Sequence, residues 1–148
     1  MASLALVTRQ RFIVGTFFLV YALSVLAITV IPNPRPRLYW QPPWWALIEL
    51  VPFDVEPVSM VANVIMFVPF GALVPLLWRW ARPIGRLTAL ALGTSLAIEL
   101  IQLLFLIELN SRRTVDINDL IANTGGALLG LGLLRLIMGK VRETSPSH

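Results

Sequence analysis

The chain has 148 residues, 57% of them hydrophobic and only 14% charged, with a net charge of +4 and a mean hydropathy of +0.77. Soluble domains carry about a quarter charged residues, so this balance excludes an ordinary soluble domain and indicates a polytopic membrane protein. Cysteine is absent and the one histidine is the last residue, His148, which excludes disulfides, thiolate or imidazole metal sites, and Ser-His-Asp or Cys-His catalysis.

A helix needs about 20 apolar residues to cross about 30 Å of hydrocarbon. Four stretches meet that length: 12–31, 58–78, 87–107 and 120–138. The expected fold is all-α, a four-transmembrane-helix bundle forming a single domain over 1–142, with a disordered tail at 143–148. The first span, Phe12 to Ile31, is too long for a typical signal-peptide core and has no small-residue cleavage site after it, so it reads as a retained helix.

The connection that follows, 32–57, holds seven of the eleven prolines and three of the five tryptophans, including Tyr39-Trp40-Gln41-Pro42-Pro43-Trp44-Trp45. Proline opposes regular helix and central strand, whereas tryptophan and tyrosine favour the headgroup layer. The expectation is an outer interfacial loop, or more sharply a lid over a headgroup pocket, with one short interfacial helix at 46–51.

The second span runs from Val58 to Trp78 and puts Ser59 and Asn63 on one face. Arg79, Arg82 and Arg86 fill the turn after it. The third span contains Ser95, Glu99 and Gln102 at i, i+4 and i+7, which share a face. Glu99 stands mid-span, where a carboxylate costs about 2.5–3.5 kcal/mol on insertion scales and marks a functional-site candidate. At the fourth span, Asp116, Asp119, Asn123, Gly126 and Gly130 step by three or four into one stripe. Asp116 or Asp119 can cap this helix, and Gly126 with Gly130 makes a GxxxG pair suited to close helix packing.

Arg9 and Arg11, the 79–86 turn, and Arg135, Lys140 and Arg142 fall on one side. The positive-inside rule puts that side, and both termini, in the cytoplasm. Arg35, Arg37, Arg112 and Arg113 lie on the other side with most of the acids. Glu99 sits about 12 Å below the outer end of its span at 1.5 Å per residue. Asn63, Glu99, Gln102, Asp119 and Asn123 can therefore converge in the outer half of the bilayer. Arg113 either pairs with Asp116 at i, i+3 or folds down toward Glu99. The competing reading is a set of purely structural interhelical contacts, worth about 0.6 kcal/mol each. Glu99, Glu108, Asp116 and Asp119 outnumber Arg112 and Arg113, so either a carboxyl carries a proton or a cation is bound.

Val51-Pro52-Phe53, then Asn63-x-x-x-Phe67-x-Pro69-x-Gly71, then Glu99-x-x-Gln102, then Arg113-x-x-Asp116-x-x-Asp119-x-x-x-Asn123-x-Gly125-Gly126 resembles the VanZ-like family in order and spacing, over about half the chain. The resemblance implies a small helical bundle in the bacterial cytoplasmic membrane and a link to teicoplanin resistance, and it supplies no reaction. It nominates Asn63, Glu99, Gln102, Arg113, Asp116, Asp119 and Asn123 as ligand-binding positions.

Two functions are expected to compete. In the first, a non-catalytic envelope protein binds a lipid, a lipid-linked cell-wall precursor or a lipoglycopeptide in the outer leaflet, with no cofactor. In the second, an enzyme acts on a lipid phosphate or isoprenoid-linked precursor. Glu99, Asp116 and Asp119 would then hold Mg²⁺ and Arg113 would clamp phosphate, making these four the catalytic candidates. No nucleophile or general base is evident, which favours the first. The bilayer is the expected partner, a second copy of the chain is a candidate partner, and nucleic acid is not expected. Transport would require an oligomer.

Overall fold

In the computed structural model, residues 2–30, 43–54, 56–109 and 115–143 are described. They form helices α1 (Ala2–Val30), α2 (Pro57–Leu77), α3 (Ile84–Leu109) and α4 (Ile117–Glu143), with two short parallel strands, β1 (Ile48–Glu49) and β2 (Val115–Asp116). The four helices are each long and apolar enough to cross a membrane. Among the described residues the fold is all-helical apart from that two-residue strand pair, and the chain is a multi-pass membrane protein.

The helices begin and end for local reasons. Pro57 occupies the first turn of α2, where its missing N–H costs nothing. That helix closes at Trp78, whose N–H reaches the Val74 carbonyl at 2.9 Å. Asp116 starts α4 by accepting the Asn118 N–H at 2.8 Å, the geometry of an N-cap. The fourth helix therefore begins three residues before the expected span and the third also begins three residues early, because hydropathy marks the lipid-facing part of a helix and not its capped ends.

The expected helix at 46–51 is not formed. A single 3₁₀ turn occupies Trp44–Leu47, and Ile48–Glu49 is extended instead, paired with Val115–Asp116. Backbone pairing with a segment 67 positions away replaces the local bonds a helix would make there. The Pro/Trp-rich stretch at 31–42 lies outside the described residues, as does 144–148.

The α2–α4 seam is the tightest in the bundle. A methyl group on Gly71 would overlap the Ala127 carbonyl; on Gly126 it would overlap the Val64 carbonyl, and on Gly130 that of Val68. Backbone meets backbone here, as the GxxxG pair implies, and Gly71 is the partner supplied by α2. Phe67, Phe70, Val74, Ala127 and Leu131 bury beside the seam, and Leu87, Ala91 and Ile98 of α3 extend the core. Pro69 and Pro75 lie inside α2 and leave the carbonyls of residues 65 and 71 without their usual donors. In the turn that Pro69 interrupts, the Tyr21 hydroxyl of α1 donates to the Met66 carbonyl at 2.9 Å.

Candidate functional site

A cavity of about 670 Å³ lies between the four helices. Tyr21, Val25 and Thr29 of α1 form one wall, and Ser59, Asn63 and Met66 of α2 form the next. Glu99 and Gln102 of α3 and Asp119 and Asn123 of α4 complete it. The five residues expected to converge, out of the seven nominated as ligand-binding, thus line one space.

Each is held by a partner on another element. The Asn63 side-chain amide donates to Asp119 Oδ1. Glu99, only 3% exposed, accepts the Asp116 backbone N–H on Oε2 at 3.2 Å. That N–H belongs to the positive end of α4, so the helix dipole favours a negative group there. Gln102 donates to the Thr29 carbonyl at 3.1 Å, and Thr29 in turn donates to the Val25 carbonyl at 2.7 Å. Asn123 donates to Ser95 Oγ at 2.9 Å. Its Oδ1 is buried and makes no hydrogen bond. An unsatisfied buried acceptor costs about 1–3 kcal/mol.

Asp116 is the exception among the expected residues that are described. It does not line the cavity, and its Oδ1 accepts both the N–H and the side-chain amide of Asn118, each at 2.8 Å. The capping role is the one it takes. Arg113 lies outside the described residues.

Two further groups were not singled out by the sequence. Asn118 is fully buried and joins three segments: its amide also donates to the Val51 carbonyl at 3.0 Å, and its Oδ1 accepts the Phe53 N–H at 2.6 Å. Phe53 has φ of 67°, a left-handed conformation that bulky residues rarely adopt, and the Asn118 bond holds it there. The signal for Asn118 was present: a polar residue at the second position of a helix, two after an acid, is where a cap closes on itself. The second group is the α1 set of Tyr21 and Thr29, which no motif marks.

Among the described residues, no three histidine, cysteine, aspartate or glutamate side chains come together to hold a metal ion. Asp116, one of the three carboxylates expected to share Mg²⁺, points its Oδ1 into the cap instead. The described donor set does not fit a Mg²⁺ cage.

A second depression of about 630 Å³ adjoins the cavity through Ser59 and is lined by Glu49, Asp54, Glu56 and Asp116. Its rim includes the exposed side chains of Leu50 and Val51.

Compared with known proteins, the chain matches the family model described as VanZ/LLP1 over residues 18–138. No curated protein and no solved structure matches it. The matched region contains all four spans from the second turn of the first apolar stretch onward, and every residue of the cavity.

Proposed function

The chain belongs to the VanZ/LLP1 family, and on that footing we propose that it binds a lipid or lipid-linked ligand in the outer leaflet of the bacterial cytoplasmic membrane. Both termini are cytoplasmic in this reading, because the arginine-rich 79–86 turn and the basic end of α4 share one end of the bundle. The polar cluster then lies toward the outer leaflet. Binding there alters susceptibility to teicoplanin, a lipoglycopeptide whose acyl chain brings it to the same depth.

The single observation that carries this reading is the cavity. Apolar side chains such as Val25, Ile28, Ile65, Met66 and Ile98 share its walls with the polar Asn63, Asp119, Glu99, Gln102 and Asn123. That combination suits a ligand with a hydrocarbon body and a polar head. Ile28 and Ile65, which border it from α1 and α2, are each 64% exposed. A chain in the bilayer can therefore reach the cavity sideways. The buried Asn123 Oδ1 offers an acceptor to a donor group on such a head.

The test is occlusion. Ala62 lines the cavity and makes no side-chain hydrogen bond, so Ala62→Trp fills the space without removing a polar contact. Purified Ala62→Trp is expected to lose binding of a polyprenyl phosphate probe, and cells carrying it should show the teicoplanin susceptibility of cells lacking the protein. Unchanged binding and unchanged susceptibility with a normally folded variant would refute the proposal.

A further inference from the structure

The opposite end of the bundle carries a separate feature. We infer that a crevice between α1 and the end of α2 binds the phosphate headgroup of an anionic phospholipid. The crevice encloses about 310 Å³ and is lined by Gln10, Arg11 and Val14 of α1, Leu76 of α2, and Arg79 and Arg82 of the following turn. Three guanidinium groups and an amide thus surround a small apolar floor.

Among the described residues no carboxylate balances them. The acids stand at 49, 54, 56, 99, 108, 116, 119 and 143, and among the described residues none pairs with Arg11, Arg79 or Arg82. A general excess of positive charge at this end would need no crevice. Here Arg11 and Arg79, 68 positions apart, converge on one from two different elements.

The arrangement is also partly fixed. Arg82 donates through Nε to the Pro75 carbonyl at 3.2 Å, capping the last turn of α2. Arg135 of α4 donates to the Arg82 carbonyl at 3.1 Å. Arg82 is thereby held through Nε, which leaves its two terminal nitrogens as a fork, and a guanidinium fork matches phosphate oxygens two at a time. Trp78 and Trp80 are exposed beside it, and tryptophan settles at the depth of the headgroups. Half-buried Val14 and Leu76 offer the first carbons of an acyl chain a dry surface. Charge, depth and apolar floor together fit a phospholipid with a net negative head, bound between membrane helices.

Native mass spectrometry of the full chain in detergent, titrated with phosphatidylglycerol or with phosphatidylcholine of the same acyl chains, tests this. One saturable site is expected, with phosphatidylglycerol favoured by about fivefold or more. Arg11→Gln and Arg79→Gln should each weaken it by about fivefold, and Arg79→Lys by less, since the charge stays and the fork is lost. Arg86→Gln removes the same charge at the same end but outside the crevice, where Arg86 donates to the Trp80 carbonyl at 3.2 Å, and should leave binding unchanged. Inorganic phosphate at equal concentration should not displace the lipid. Equal affinity for the two lipids would overturn the inference. So would an Arg86→Gln loss as large as that of Arg11→Gln, or full displacement by phosphate. A melting curve for each variant separates loss of the site from loss of the fold, and Arg79→Lys reads the site if a glutamine variant fails to fold.

Discussion

Two walls of the same cavity are built on opposite principles. Along α2 and α4 three glycines let backbone touch backbone, and the Asn63–Asp119 bond crosses the same pair above them. Helix α1 meets the bundle through side chains: the Tyr21 hydroxyl on Met66, the Gln102 amide on Thr29, and an edge-to-face contact of Phe18 with Trp78 at 5.3 Å. Most of its surface, including Phe12, Phe17, Leu23 and Ile28, is exposed. Lipid tails are as apolar as leucine, so burial adds little attraction between membrane helices, and close packing with hydrogen bonds must hold them. The α2–α4 pair has backbone-to-backbone packing as well as a hydrogen bond, whereas α1 has its two described hydrogen bonds without such packing. The contrast makes the α2–α4 pair the frame and, under the proposed function, α1 the wall through which a lipid-borne ligand would gain entry.

The strongest way to break this comparison is to force the seam apart. Gly126→Val is expected to cost about 3 kcal/mol or more, because the obstacle is a backbone carbonyl that cannot rotate away. Gly93→Ala and Gly132→Ala meet nothing within 4 Å and should stay within about 0.5 kcal/mol of wild type. Thermal melting in detergent reads both. Equal effects at the two kinds of position would remove the frame from the account.

A middle-sized effect is expected where β1, the Phe53 turn and α4 join. Asn118→Ala leaves Asp116 and the Phe53 N–H short of partners and should cost about 1–3 kcal/mol. Phe53→Gly relieves the left-handed conformation and should be neutral or stabilising by about 1 kcal/mol. If Phe53→Gly is as damaging as Asn118→Ala, the phenyl ring matters and the backbone reading of that turn is wrong.

The smallest effect belongs to α1. Gln102→Leu removes its bond to Thr29, with an expected loss near the average for interhelical membrane bonds, about 0.6 kcal/mol. Its sharper readout is protection: in this cysteine-free chain, a Ile28→Cys probe should react faster with a membrane-soluble maleimide when Gln102 is leucine. An unchanged rate would mean that Gln102 does not hold α1.

The sequence was most readable where a residue type conflicts with its surroundings. Glu99 in an apolar run, and the regular steps of Asn63, Asp119 and Asn123, mark the cavity because hydrocarbon leaves polar groups few places to go. The helix count followed from length and hydropathy alone. The partner of each group was harder to read. Thr29 offers its backbone carbonyl to Gln102, and a carbonyl belongs to every residue type, so nothing in α1 announces the contact. Strands of two residues carry no alternation to detect, which is why Ile48–Glu49 read as helix. Asn118 was overshadowed by the acids on either side of it, although it makes more of the described hydrogen bonds than either. Asp116 carries the right chemistry for a ligand, but its position just before α4 puts its carboxylate to use as a cap.

Under the proposed function, the cavity among the four helices holds a lipid-borne ligand. Photo-crosslinking in membranes with a diazirine-tagged polyprenyl phosphate, mapped by peptide mass spectrometry, addresses it most directly. Adducts are expected on Ile28, Ala62 and Ile65 at the cavity and not on Leu133 or Leu136, which are equally exposed on α4 but do not line it. Labelling spread evenly over both groups, or undiminished in Ala62→Trp, would contradict the account.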